Sequence, residues 1–310
     1  MRITVIGAGF MGTVIATIYA SKGHEVVLHD LNQAMLGSFG ERVLPILEGL
    51  SGDAAIRKQT VSRIRIESVL SKAVADSKLV HEIIHESLPH KQALFGELDL
   101  LCAPGTVLAT NTSSFLLTDI CRDVAHKDRV IGIHFITPAH VVKALEVIVN
   151  DRTPAALVEW TKDFVKDIGY HPMVCRESPG FLVNRIQLAM LAEIHRIVDE
   201  GLASVEDVDT AVRLSLGPRW ALWGALACED LVASKRTALA VLEYMQRQTG
   251  SEHFKPTRTL VRMVEEGKLG AAAGRGWYEW NEPNAELVIR RDRQLAEILD
   301  WLAARPKIVG

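Results

Sequence analysis

The chain has 310 residues, 48% apolar and 24% charged, which suits a soluble globular protein of one large domain or two ordinary ones, with ample material for a core. A formal net charge of −3 removes any bulk electrostatic case for nucleic acid or an anionic membrane as partner. Cys102, Cys121, Cys175 and Cys228 lie far apart with no CxxC pair, which argues against a structural metal or a disulfide framework and for reduced thiols in a cytoplasmic setting.

The N-terminal apolar run is broken by glycines and has no secretory pattern, and no stretch approaches the roughly 18 uninterrupted apolar residues of a membrane helix. Instead "RITVIG" reads as a strand, followed by Gly7-Ala8-Gly9-Phe10-Met11-Gly12, a helix "TVIATIYASKG" and a second strand "EVVLHD" ending on Asp30. A GxGxxG between strand and helix, with an acid closing the next strand, is the dinucleotide fingerprint in its full context. Gly7 permits the tight turn, Gly9 lets the backbone approach a pyrophosphate, and Gly12 lets helix and strand pack closely. Phe10 and Met11 open the helix whose amides and positive end meet the phosphates. Asp30 is placed to accept from ribose hydroxyls and to repel the extra phosphate of NADP. Leu31 and Asn32 follow, with no arginine to hold that phosphate, so NAD is the expected cofactor.

Residues 33–75 read as one longer helical passage carrying Arg57, Lys58, Arg63 and Arg65. Four further strands follow, "KLVHEII", "TVLATN", "RVIGIHF" and "ALEVIVN". Runs this apolar suit a parallel sheet covered on both faces, and their alternation with helical patterns implies a Rossmann-type doubly wound α/β domain. Past "ESPG" the rhythm becomes helical. "FLVNRIQLAMLAEIHRIVDEG" puts Ile186, Met190, Leu191, Ile194 and Ile197 on one broad apolar face. Gly201 is placed to stop that helix, and Ser204 to cap the next through "SVED". The expected organisation is an NAD-binding domain over residues 1–176 and an all-helical substrate and dimerisation domain over residues 177–310.

His134 ends an apolar strand at the carboxyl edge, where nucleotide folds place ligands. A return of the chain after Pro138 brings Glu146 back towards it. An imidazole is the usual base for a hydroxyl proton near neutral pH, and a carboxylate on its other nitrogen fixes the tautomer and stabilises the imidazolium.

These segments, together with "NTSSF", "HESLPHKQALFGELD", "SPGFLVNR" and "EEGKLGAAAGRGWYEW" in order along the chain, resemble the 3-hydroxyacyl-CoA dehydrogenase family. The resemblance implies NAD-dependent oxidation of a hydroxyl group, with His134 and Glu146 as the dyad. It makes Ser113 the hydrogen-bonding partner of the substrate oxygen and has Asn184 complete the site from the helical domain. It also puts Glu86 and Lys91 near the nicotinamide ribose, has Asn111 order the "NTSS" loop, and implies a homodimer. Without it, Ser113 and Asn111 read as turn and capping residues, and Lys91 as part of a solvated helix face.

Two departures bear on substrate. The family usually writes "HFFNP"; this chain has "HFITP", with Thr137 in place of an asparagine that offers donor and acceptor together. "SLGPRWALWGALACEDL" replaces a shorter "PMGPFEL" and looks like relatives that oxidise small hydroxy acids: dehydrogenases of gulonate, carnitine and a pyridine carboxylate. Arg219 then suits a free carboxylate, which a guanidinium holds by two parallel bonds, with Trp220 and Trp223 walling a pocket. The expectation is a small carboxylate-bearing substrate. The alternatives are a short 3-hydroxyacyl-CoA, whose phosphates the basic cluster of residues 57–65 suits, and a non-catalytic NAD-binding structural protein.

Overall fold

The computed structural model describes residues 1–50 and 52–305. Two compact units divide the chain, Met1–Leu191 and Ala192–Gly310. The first is built on the expected doubly wound sheet. Its strands are β1 (Arg2–Ile6), β2 (Glu25–His29), β3 (Ile64–Ile66), β4 (Leu79–Glu82), β5 (Val107–Thr110), β6 (Val130–Phe135), β7 (Ala144–Val149) and β8 (His171–Arg176), in the spatial order β3-β2-β1-β4-β5-β6-β7-β8. The helices are α1 (Phe10–Ser21), α2 (Gln33–Gly37), α3 (Phe39–Leu50), α4 (Ala54–Ser62), α5 (Leu70–Val74), α6 (Leu88–Leu101), α7 (Leu117–Ile120) and α8 (Ala155–Asp167), and α9 (Val183–Asp199) runs from the first unit into the second.

Apolar clusters explain the layering. One gathers Ile3, Val5, Tyr19, Phe135 and Phe164, and another Ile6, Val80, Phe95, Leu98 and Leu108. Odd and even positions of β1 therefore feed different clusters, as the period-2 geometry of a strand requires. Every residue of β4 and β6 is buried. Each fully buried Val, Leu, Ile or Phe contributes about 1.5–3 kcal/mol relative to exposure, so the central strands hold the sheet.

Three expectations need correction. The sheet is not wholly parallel: β7 runs antiparallel to β6, while the other pairs are parallel. The reversal needs only the loop after Phe135, where the Pro138 carbonyl accepts from the Val141 and Val142 amides, whereas a parallel return would need a crossover of a dozen residues or more. Residues 33–75 are not one helical passage but α2, α3 and α4, then β3, then α5. β3 has three residues, two of them exposed, so it carries almost no apolar signal. β8 was likewise unforeseen. It is an edge strand with Pro172 near its start and no fully buried position, the place where a sheet tolerates proline.

The second unit is helical. It contains α10 (Val205–Ala211), a π-helical turn over Val212–Leu216, α11 (Gly217–Trp223), α12 (Ala225–Val232), α13 (Lys235–Thr249), α14 (Arg258–Glu265) and α15 (Asn284–Ala303). Gly201 is left-handed just past α9, and the Ser204 hydroxyl accepts from the Asp207 amide at the start of α10, as "SVED" predicts. Asp230 is a buried hub. It pairs with the buried Lys235 and accepts from the Trp277 and Tyr278 amides and the Trp280 indole. Burial would raise its carboxyl, but Lys235, Trp280 and those amides hold it below the usual range.

Candidate active site

β1, β2, β4, β5 and β6 are mutually parallel, so the segments that follow them share the carboxyl edge of the sheet. Gly7 has φ +107, which favours glycine. A side chain on Gly12 would overlap the Gly7 carbonyl oxygen. Gly9 is the N-cap of α1 and offers no side-chain cap, leaving the first amides of the helix for a ligand. Phe10 is 61% exposed beside this turn, and Met11 Sδ lies 3.7 Å from the Thr137 hydroxyl. Asp30 directly follows β2, and its carboxylate accepts from the Ala8 amide at 2.7 Å and the Asn32 amide at 2.8 Å. The donor-rich turn, the absent Cβ and this carboxylate fit a dinucleotide.

His134 and Glu146 are directly paired across β6 and β7. His134 Nδ1 lies 2.6 Å from Glu146 Oε2. The other oxygen, Oε1, accepts from the Leu182 and Val183 amides at 2.9 and 2.7 Å, at the start of α9. Burial would raise the Glu146 carboxyl. The bond from His134 and the two amides outweigh it and hold the group below its ordinary value. On its other side, His134 Nε2 lies 3.1 Å from Ser113 Oγ. Asn184, one residue into α9, donates from Nδ2 to the Ser113 carbonyl at 3.2 Å. Asn111 accepts from the Phe135 amide through Oδ1 at 2.9 Å, which joins the end of β5 to the end of β6.

Glu86 organises the turn that carries Ser113. Its Oε1 accepts from the Thr112 hydroxyl at 2.5 Å, the Ser113 and Ser114 amides at 3.1 and 3.2 Å, and the Ser114 hydroxyl at 2.8 Å. Burial raises its carboxyl, but these donors and Lys91 prevail and hold it low. Lys91 corrects the expectation drawn from the residues alone: it is 1% exposed, not on a solvated face. Its Nζ bonds Glu82 at 2.5 Å and lies 3.3 Å from Glu86 Oε2. Sequence reasoning missed Glu82. Its signal was present: an acid inside the strand pattern "KLVHEII", nine residues before a lysine.

Arg219 lies in the second unit, on α11. Its guanidinium donates to the carbonyl and hydroxyl of Ser215, one turn earlier at 2.9 and 3.0 Å. The Trp223 indole donates to Gln294 of α15 at 2.9 Å, and Trp220 is 37% exposed.

Comparison with known proteins decides the family. Residues 2–178 match the family model of the 3-hydroxyacyl-CoA dehydrogenase NAD binding domain, and residues 180–280 match that of the 3-hydroxyacyl-CoA dehydrogenase C-terminal domain. The chain belongs to the 3-hydroxyacyl-CoA dehydrogenase family. As a member of the 3-hydroxyacyl-CoA dehydrogenase family it is an oxidoreductase acting on CH–OH groups, with NAD as cofactor. The human mitochondrial hydroxyacyl-coenzyme A dehydrogenase is 34% identical over 289 residues, covering 90% of this chain and 91% of that one. The crystal structure of the 3-hydroxyacyl-CoA dehydrogenase of Archaeoglobus fulgidus superposes with a TM-score of 0.84 at 30% identity, covering 98% of this chain and 100% of its own. A third structure, of 5-formyl-3-hydroxy-2-methylpyridine 4-carboxylic acid 5-dehydrogenase, an NAD-dependent dismutase, has a TM-score of 0.69 at 25% identity and covers 98% of this chain and 99% of its own.

Proposed function

We propose that the protein interconverts a hydroxyl and a carbonyl on a small carboxylate-bearing substrate, with His134 and Glu146 as its acid–base dyad. The observation that carries this reading is the line from Ser113 Oγ through His134 to Glu146, at 3.1 and 2.6 Å. His134 Nε2 takes the hydroxyl proton of the substrate and returns it in the reverse direction. The carboxylate opposite Nδ1 stabilises the imidazolium formed and keeps the tautomer that leaves Nε2 able to accept. Ser113 and Asn184 hold the substrate oxygen, and Thr137 shapes the mouth of the site. Glu86 and Lys91 stand near the nicotinamide ribose, and Asn111 keeps the "NTSS" turn in place. NAD, when bound at the Gly7–Gly12 turn with its ribose on Asp30, supplies the hydride chemistry.

The carboxylate reading rests on Thr137, on Arg219 with its neighbouring tryptophans, and on the likeness to the pyridine-carboxylate enzyme. Arg219 is assigned to the substrate carboxylate, so Arg219→Leu should raise KM for a free acid far more than it lowers kcat. The second reading, a short 3-hydroxyacyl-CoA, is favoured by the length-wide match to hydroxyacyl-CoA dehydrogenases. A panel of hydroxy acids and acyl-CoAs, followed by NADH absorbance, separates the two: robust turnover of acetoacetyl-CoA replaces the first by the second. His134→Gln should lower kcat about 10²–10⁴-fold, and a variant retaining most of its turnover would remove the dyad. We also propose a cytoplasmic homodimer joined through the helical region. α9 has no buried residue and exposes Ile186 and Leu188, surface that a second copy would cover.

A further inference from the structure

Glu82 is a buried carboxylate that the reading above leaves without a role. It ends β4 and is fully buried. Oε1 accepts from Lys91 Nζ at 2.5 Å and from the Ile84 amide at 2.7 Å, and Oε2 accepts from the Thr110 hydroxyl at 2.7 Å. All three neighbours donate, so the site calls for a group that only accepts. That is an ionised carboxylate, not an amide.

The contacts run on from there. Lys91 Nζ lies 3.3 Å from Glu86 Oε2. Through Oε1, Glu86 holds the amides of Ser113 and Ser114 and the hydroxyls of Thr112 and Ser114. Ser113 Oγ lies against His134. A buried ammonium between two carboxylates loses part of its compensation when either is removed, and an incompletely paired buried charge is costly. Removing the inner carboxylate draws the ammonium towards Glu86, where it competes with the Ser113 and Ser114 donors. Thr110 adds a second link, since its Oγ1 also accepts from the Thr112 amide at 3.1 Å.

We propose that Glu82 is a positioning residue: by fixing Lys91, and through it Glu86, it sets Ser113 against His134. This rests on the reading of Ser113 and His134 as the acid–base site, and it assigns the setting of that pair to a residue that touches neither.

The test is a double-mutant cycle on the full-length enzyme between Glu82→Gln and Ser113→Ala. It has two readouts: the His134 imidazole nitrogen signals in histidine-labelled, cofactor-free protein at fixed pH, and turnover of the fastest substrate in the panel. The melting temperature serves as the fold control. Glu82→Gln should move the His134 Nε2 signal in the same direction as Ser113→Ala and lower kcat about tenfold. The double variant should be no worse than Ser113→Ala alone, because residues acting in one chain are non-additive. A folded Glu82→Gln protein with a wild-type His134 signal, or effects that add in full, overturns the proposal. If Glu82→Gln does not fold, Glu82→Asp keeps the charge but draws the carboxylate back by one methylene from Lys91 and should show a smaller change with the same non-additivity. Additive effects there overturn the proposal equally. Should Ser113→Ala itself leave the His134 signal and turnover unchanged, the acid–base reading fails. Should Ser113→Ala move both while Glu82→Gln moves neither, only the role of Glu82 is lost.

Discussion

His134 and Glu146 face each other because they are a directly opposed pair in an antiparallel ladder, Nδ1 to Oε2 at 2.6 Å. Opposed residues on one sheet face have Cβ atoms about 4.5–5.5 Å apart, a separation that an imidazole and a carboxylate bridge with one hydrogen bond. The reversed direction of β7 therefore has a chemical consequence, since it supplies the partner that orients the imidazole. Glu146→Gln should lower kcat by about 10²–10⁴-fold with little change in fold, because the amide can present a donor to Nδ1 and invert the tautomer. Steady-state kinetics beside a melting curve check this, and near-normal turnover would separate the pair from the chemistry.

The same carboxylate makes a pH-dependent contribution to stability. Its folded-state value lies below the ordinary one despite burial, because His134 and the Leu182 and Val183 amides favour the ionised form. A group depressed on folding contributes stability that is present above its unfolded value, near 4.3 for glutamate, and lost as pH falls through the folded value. The stability difference between wild type and Glu146→Gln should therefore be constant at neutral pH and shrink below about pH 4. Denaturant titrations from pH 7 to the acid limit test it, and a gap independent of pH would be the contrary result.

Asp30 has two tasks. It accepts from the Ala8 amide in the glycine turn, and in the proposed site it also accepts from the ribose hydroxyls of NAD. NADP-linked kcat/KM should fall below the NAD-linked value by about ten- to a hundredfold, since bonds to a charged group contribute roughly 1.5–3 kcal/mol. Asp30→Ser should narrow that ratio while weakening both cofactors, because the turn loses its brace. Equal efficiencies in the wild type would contradict this.

Gly12→Ala adds a methyl group where the Gly7 carbonyl oxygen already sits. Overpacking of this kind costs about 1–3 kcal/mol. The turn must open to relieve it, so the melting temperature and NADH affinity should fall together. A fluorescence titration with NADH and a thermal melt would show it; unchanged affinity would mean that the turn does not hold the pyrophosphate.

In the second unit, Lys235→Met strands the buried Asp230 carboxylate, which keeps its bonds to the Trp277 and Tyr278 amides and the Trp280 indole. Breaking a buried ion pair from one side costs about 3–5 kcal/mol. Equilibrium unfolding should report a loss of that order, and a loss under about 1 kcal/mol would mean that the amides and indole suffice.

Local pattern carries far in this protein. The strand–GxGxxG–helix–strand–Asp30 run and the apolar strands are legible because each follows from periodicity or from a motif in context, whereas the residues alone leave the pairing of His134 with Glu146 open and the family resemblance favours it. The helix stop at Gly201 and the cap at Ser204 are equally local. What tertiary structure decided lies where pattern falls silent. β3 and β8 exist because neighbouring strands lend them hydrogen bonds, not because their own residues favour burial. The direction of β7 depends on the short loop after Phe135, which reaches the free edge of β6 only by turning back. Glu82 and Lys91, nine residues apart and charged, look solvated in sequence, yet they are buried because each neutralises the other and Glu86 completes the set. Pairing energy between buried charges depends on distance and desolvation in three dimensions, and neither quantity is written in the order of the residues.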